Sequence, residues 1–295
     1  MARLPHYERA KEPPPMGLTP RDKQILEAIY QFEGVLADYQ LRRLFFNSDR
    51  RMKGRMSVLY HNQYVDRFTR QQQNSYGLMA YFLDEQGIEY LSSVRGILPK
   101  ELNARLKDER TSLIRHDVKL NDVHIAVVEA IERLPKTELV EWINSRTFWS
   151  AYDTVTYTDG KGNKKQRHIK PDAFIHVASS TSGKLLHSRL LLELDMRTEH
   201  NPRFVEEKVR PGLAYINSET YKERFGAKSG RWLVVTTGET RVANMKRHAE
   251  RVGGAAKAFY YTTFAEATEP GAFFTQPIWR RATVAEPVAL FSTPT

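Results

Sequence analysis

The sequence predicts an α/β (α+β) chain in two parts, a small helical head closed by a β-hairpin and then a mixed sheet flanked by helices. Three observations carry this. Apolar residues recur at helical spacing three times before residue 62, and two short β-prone runs follow at 64–69 and 81–83. From residue 120 onward the order becomes helix, three strands, helix, strand, the pattern of a sheet covered by helices. At 295 residues the chain is long enough for two modest domains, each with its own core.

Residues 1–17 carry Glu12-Pro13-Pro14-Pro15 and no apolar period, and read as a disordered or loosely docked tail. Thr19-Pro20-Arg21-Asp22 starts a helix, with Thr as N-cap, Pro in the first turn and an acid behind it. Ile25, Leu26, Ile29 and Tyr30 are its apolar stripe, and Gly34 ends it. A second helix fits Ala37 to Phe45. Asn47-Ser48-Asp49 turns the chain into a third, Arg50 to Asn62, whose stripe is Met52, Met56, Leu59 and Tyr60. The strands Tyr64–Thr69 and Tyr81–Leu83 enclose a polar loop, Arg70-Gln71-Gln72-Gln73-Asn74-Ser75. Three helices and a hairpin make a winged helix-turn-helix domain over residues 18–95, with a helix from Glu85 closing it.

Residues 96–117 are highly charged and read as a solvated connecting helix or linker. The second domain is placed at 118–265. Its helix, Leu120 to Leu134, carries Val123, Val127, Ile131 and Leu134 on one stripe, and a strand follows near Leu139 to Ile143. The segment Thr158 to Lys165 is a hairpin turn, and Ile169–Val177 and the leucine-rich run around residue 192 are strands. Pro202 opens a helix to about Asn217; Trp232–Thr236 is a strand, Thr240–Arg251 a helix and Ala258–Thr263 a last strand. Residues 266–295 form a C-terminal extension without clear pattern, which Trp279 and Phe273-Phe274 are expected to anchor.

Composition bounds the function. No run approaches the ~20 apolar residues that span a bilayer, and Met1 to His6 lack the apolar core of a secretion signal, so the expectation is a cytoplasmic protein without a membrane partner. Cysteine is absent, which excludes disulfides and thiolate zinc sites. The net charge of +10 points to a polyanion. It is concentrated on the third helix, where Arg50, Arg51, Lys53 and Arg55 fall mostly opposite the apolar stripe, and Arg70 begins the wing loop. In a winged helix this is the face that enters the major groove, so double-stranded DNA is the expected partner. The competing reading is a solvated face of a protein-interaction domain.

Three carboxylates are the second functional signal. On a strand through Leu190 to Met196, Glu193 and Asp195 project from one side about 7 Å apart, while Leu190, Leu192, Leu194 and Met196 take the other. If the strand from Ile169 brings Asp172 alongside, Asp172, Glu193 and Asp195 converge as hard divalent cations require, Mg²⁺ or Mn²⁺ in particular. Glu129 or Glu132 is a candidate to complete the shell. The alternative is a surface cluster neutralised by Arg189, Arg197 or Lys208, although such exposed pairs contribute only ~0–1 kcal/mol. Tyr215 and Tyr221 read as packing residues, and His248-Ala249-Glu250-Arg251 as a solvated helix face.

Four pieces in this order carry a resemblance: the winged helix, His116-Asp117-Val118-Lys119-Leu120-Asn121-Asp122-Val123, Lys170-Pro171-Asp172-Ala173, and Leu192-Glu193-Leu194-Asp195-Met196-Arg197-Thr198-Glu199. Together, over about residues 18–280, they resemble the replication-relaxation family of mobile-element proteins, which includes mobilisation relaxases. The resemblance implies that the second domain has a restriction-endonuclease-like fold of the PD-(D/E)xK type, with Asp172 and Glu193 as its acids. It further implies a DNA-binding protein of a plasmid, phage or integrative element that nicks DNA with a divalent metal. The motif lysine would fall at position 195, where this chain has Asp195. Either Lys208 on the next helix reaches back to replace it, or Asp195 serves as a further metal ligand, or the site has lost its chemistry. The last case gives a non-catalytic transcriptional regulator or replication accessory factor, whose second domain serves for homodimerisation or DNA docking.

Overall fold

The computed structural model describes residues 5–102, 104–107, 113–181, 184–196 and 201–291. The chain divides into two compact units, Met1–Asn121 and Asp122–Thr295.

Unit 1 runs α1 (Pro20–Gln31), β1 (Val35–Ala37), α2 (Asp38–Phe45), α3 (Asp49–His61), β2 (Val65–Arg67), α4 (Arg70–Tyr76), β3 (Ala80–Leu83) and α5 (Glu85–Arg95). The expected helices and hairpin are present, joined by a third strand. β1, β3 and β2 form an antiparallel sheet in that order. With three residues, β1 is too short to show a period in the sequence. Ile25, Leu26 and Ile29 of α1 and Met52, Met56 and Leu59 of α3 are buried, as their spacing requires.

Two expectations are corrected here, and of the two readings of the tail the docked one is met. Residues 70–75 are helical, because Thr69 and Gln72 form a capping box at the start of α4 and Gly77 closes it at φ 71°. The tail from residue 5 is docked: Tyr7 Oη donates to Gln73 at 2.6 Å, the Ala10 N–H donates to His61 Nδ1 at 3.0 Å, and the Arg9 guanidinium meets Asp84 and stacks over Tyr60. The 96–117 segment contains a 3₁₀ turn, Pro99–Glu101, and its described charges are not all solvated. Arg105 and Asp117 are buried as an ion pair, beside buried Leu102 and Ile114.

On α3, Arg50, Arg51 and Lys53 are exposed, whereas Arg55 turns back to α1. Its Nε donates to Asp22 Oδ1 at 2.7 Å and an Nη donates to Gly17 O at 3.0 Å. Asp22 is fully buried. Burial pushes its carboxyl up, but hydrogen bonds from Arg55 and Thr19 outweigh that and hold it below the usual range. Arg55 is therefore a structural cation. Arg55→Ala should destabilise the chain by about 3 kcal/mol in urea unfolding, the scale for stranding one partner of a buried pair. Arg51→Ala should change stability by no more than about 0.5 kcal/mol.

Helix α6 (Ile114–Glu132) contains the boundary between the units. In unit 1 its Asn121 Nδ2 donates to Phe32 O at 2.9 Å and to Val35 O at 2.7 Å. Unit 2 continues with β4 (Thr137–Asn144), α7 (Ser145–Ser150), the hairpin β5 (Asp153–Thr158) and β6 (Lys164–Ile169), β7 (Ala173–Thr181) and β8 (Lys184–Asp195). Then come α8 (Asn201–Phe204), a π-helical turn (Val205–Val209), α9 (Arg210–Ile216), α10 (Glu219–Phe225), β9 (Arg231–Thr236) and α11 (Glu239–Ala249). The chain ends in α12 (Ala255–Ala258), β10 (Phe259–Thr263), α13 (Phe264–Ala267), α14 (Ala272–Thr275) and β11 (Arg280–Arg281).

The main sheet is mixed, in the order β11-β10-β9-β8-β7-β4. β4, β7 and β8 are an antiparallel meander, and β8, β9 and β10 run parallel, so the helices between β8 and β9 form a crossover. Both faces are covered. Phe174, Leu191 and Val234 on one face share a core with Val205 and Val209 of the π turn and Tyr215 of α9. Gly212 lets α9 approach closely, since a Cβ there would meet Phe259 at 2.9 Å and Trp232 at 3.0 Å. The expected anchors of the C-terminal extension, Phe273, Phe274 and Trp279, are fully buried.

On the opposite face, buried His124 of α6 stacks on Trp142 of β4 with ring centroids 3.7 Å apart. Burial lowers its pKa from 6.5 to about 3. The folded state thus refuses a proton that the unfolded chain accepts below pH 6.5. The stability present above that pH is lost on acidification at about 1.4 kcal/mol per pH unit until the folded pKa near 3 is reached. Replacing His124 by Phe should flatten the fall of the thermal midpoint between pH 6.5 and 4 relative to the native chain.

Candidate functional site

β8 carries the acids on its inner face. Glu193 lies opposite Val234 and Asp195 opposite Thr236 of parallel β9, on the face that the crossover helices cover. Both are buried, not displayed on a surface as the alternation alone implied. The expected Ile169–Val177 strand is interrupted: β6 ends at Ile169, and Pro171, which has no N–H for a ladder, separates it from β7. Asp172 sits in that break and clasps β8 on either side of Glu193. Its N–H donates to Leu192 O at 2.9 Å, and its Oδ2 accepts from the Leu194 N–H at 2.7 Å. Asp172 and Glu193 thereby share one pocket.

The third member arrives from the crossover. Pro211 cannot provide the N–H that an α-helix would direct at the carbonyl of residue 207, and the turn before it winds as a π-helix, with the Arg210 N–H reaching back to Val205 O. Lys208 of this turn extends its Nζ to Glu193 Oε1 at 2.6 Å. Asp172, Glu193 and Lys208 line a pocket of about 220 Å³, together with Trp149, Arg167, His168, Lys170 and Glu207. Glu207 accepts from Arg203 at 2.6 Å and from Arg167 at 2.9 Å. Burial alone would raise its carboxyl, but these two guanidinium groups hold it below the ordinary range.

Asp195 is not part of this group. Its Oδ2 accepts from Thr236 Oγ1 at 2.6 Å and from Arg241 Nε at 2.8 Å, and its Oδ1 accepts from Arg241 Nη2 at 2.9 Å. The bidentate guanidinium ties α11 to β8, and the Thr236 hydroxyl ties β9 to the same carboxylate. The expected three-carboxylate cluster is thus reduced to two, and among the described residues no three His, Cys, Asp or Glu side chains gather as a metal shell. Glu129 and Glu132 do not line the pocket. Arg197, Thr198 and Glu199 lie outside the described residues. Tyr215 and Tyr221 are buried packing residues, and the Tyr215 hydroxyl donates to Asp153.

In unit 1, a groove of about 960 Å³ runs between the start of α1 and α3, lined by Arg21, Phe46, Ser48, Arg50, Arg51 and Gly54 among others. Arg70 is exposed at the first turn of α4. The sequence reading missed Trp149, Arg167, His168, Lys170 and Glu207. They precede or flank the acids on short elements that show no periodicity, and only the Lys170-Pro171-Asp172 adjacency hinted at them.

The chain belongs to the replication-relaxation family, whose model matches residues 26–228, more than half of its length and including both acids and Lys208. Membership gives it a replication-related, DNA-associated function. No curated protein and no solved structure matches the chain. Among the described residues no helix is long and apolar enough to cross a membrane.

Asp195 of β8 and Asp172, which clasps β8 from outside it, should separate in a stability measurement. Asp195→Ala leaves Arg241 stranded and should cost about 3–5 kcal/mol of unfolding free energy. Asp172→Asn, which keeps an oxygen acceptor for the Leu194 N–H, should cost about 1 kcal/mol or less.

Proposed function

We propose that the chain is a DNA-binding protein of a mobile element whose second unit nicks DNA with a divalent cation. The observation that carries this reading is the meeting of Asp172, Glu193 and Lys208 in one pocket. It supports the first of the arrangements left open by the missing motif lysine: Lys208 takes the place that Asp195 leaves vacant. The meander β4-β7-β8 followed by a crossover to parallel β9 also suits a restriction-endonuclease-like core.

The donor set fits Mg²⁺ or Mn²⁺. Hard oxygen ligands are required, and Mg²⁺ commonly takes one or two protein carboxylates and fills its shell with water and phosphate oxygens. Asp172 and Glu193 would hold it. When bound, such a cation supplies a water of lowered pKa and offsets charge on the phosphate. Lys208 would move its ammonium from Glu193 toward the phosphate and stabilise the charge that builds there. Arg167 and Lys170, on the pocket wall, would orient the backbone. The first unit, as a winged helix, would bind duplex DNA through Arg50, Arg51 and Lys53, with Arg70 beside the phosphates. Arg55 is left out of this contact because Asp22 holds it.

The small number of gathered carboxylates favours a second reading, a replication accessory factor or regulator that docks DNA on the same pocket without cutting it. Supercoiled plasmid incubated with Mn²⁺ or Mg²⁺ distinguishes the two. The native chain should give open circles, and Asp172→Ala, Glu193→Gln and Lys208→Met should each slow nicking by about 100-fold or more while still shifting DNA in a gel. Binding by the native chain without nicking in either metal would favour the accessory factor.

A further inference from the structure

We propose that Trp149 and Tyr152 form a stacking platform for an unpaired base, so that the acidic pocket takes single-stranded DNA in preference to intact duplex. This deepens the reading of the pocket as a phosphodiester site and rests on it for its biological sense, but binding alone tests it. Trp149 is 49% exposed and Tyr152 44%, and among the described residues of unit 2 they are the exposed Trp, Tyr and Phe side chains. The other tryptophans of the unit are buried or half-buried. One cation joins the two rings into a single surface: Lys170 Nζ lies 4.3 Å from the centroid of Trp149 and 4.7 Å from that of Tyr152. The His168 ring adds to it, 4.3 Å from Tyr152.

Trp149, His168 and Lys170 also line the pocket of Asp172 and Glu193, so the platform and the acids share one wall. A path for a sugar-phosphate backbone leads away from it. The outward face of the β5–β6 hairpin presents Thr154, Thr156, Thr158, Lys164, Gln166 and His168, all exposed. These are hydrogen-bond donors and a cation, without a carboxylate among them. That composition suits a polyanion and gives a protein partner no apolar centre to bury. Bases within a duplex are stacked on one another, whereas an unpaired base has a π-face to lay on an aromatic ring. Aromatic rings set among cations are the general means of holding single strands without sequence preference.

The test is binding of a labelled oligothymidylate to the full-length chain in EDTA, by fluorescence anisotropy, with folding checked by circular dichroism. Trp149→Ala should weaken binding about tenfold or more, the effect of removing one stacked base, and Trp149→Phe should keep it within about threefold. Tyr152→Ala should weaken it in the same direction, while affinity for a blunt duplex stays unchanged in all three variants. The measurement is made without a divalent cation and reads binding alone, so a failure of nicking leaves this proposal standing. Native affinity in Trp149→Ala and Tyr152→Ala would overturn it. So would equal losses for Trp149→Ala and Trp149→Phe, or equal losses for single strand and duplex.

Discussion

A carboxylate on a sheet covered on both faces must be met by a cation from the layer above it, and unit 2 is arranged around that constraint. Desolvating an unpaired carboxylate costs several kcal/mol, about the whole margin of stability of a domain. β8 carries two such groups on one face, and each is answered by a different helix. Arg241 of α11 closes on Asp195 with two hydrogen bonds, and Lys208 of the π turn closes on Glu193 with one contact. The two solutions differ in kind. A bidentate guanidinium, always charged and with planar geometry, fixes its partner, while an ammonium on a flexible stem can be exchanged for another cation. Asp195 is thereby a structural group, and Glu193 is the acid that the proposed nicking reaction would use.

The π turn is the device that makes the second solution available. A regular helix through Pro211 would lack one hydrogen bond and carry a clash, and winding Val205–Val209 with one extra residue in the turn absorbs both. The same turn directs Glu207 to Arg167 and Arg203, which keeps that acid charged and engaged on the pocket wall. Lys208 is then the cation facing Glu193, and Asp172 is held beside it by the backbone of Leu192 and Leu194. Lys208 reaches the acid from a helix that winds as a π turn ahead of Pro211.

What the sequence made legible follows from how far each signal is local. Thr19-Pro20-Asp22, the stripe of α3 and the leucines of β8 are local patterns, and the elements they mark are present. The Thr69-Gln72 capping box was equally local but was masked by a run of polar residues that looks like a loop. Asp172 and Glu193 could be paired from sequence because one immediately precedes, and the other lies within, the apolar runs of two neighbouring strands. Strand alternation puts Asp195 on the same face as Glu193, but it says nothing of Arg241, forty-six residues later, which takes it out of the cluster. Arg55 looked like a DNA contact for the same reason, since its claim on Asp22 in α1 is a tertiary fact. Charges are the residues whose partners sequence spacing reveals least.

The central claim is that Asp172 and Glu193 form one cation site in which Lys208 stands where a divalent ion would bind. Calorimetric titration of Mn²⁺ into the DNA-free chain measures this directly. One Mn²⁺ per chain is expected, with binding lost in Glu193→Gln and tightened in Lys208→Met, because removing a competing ammonium relieves like-charge repulsion. Equal Mn²⁺ affinity in the native chain, Glu193→Gln and Lys208→Met would contradict the account.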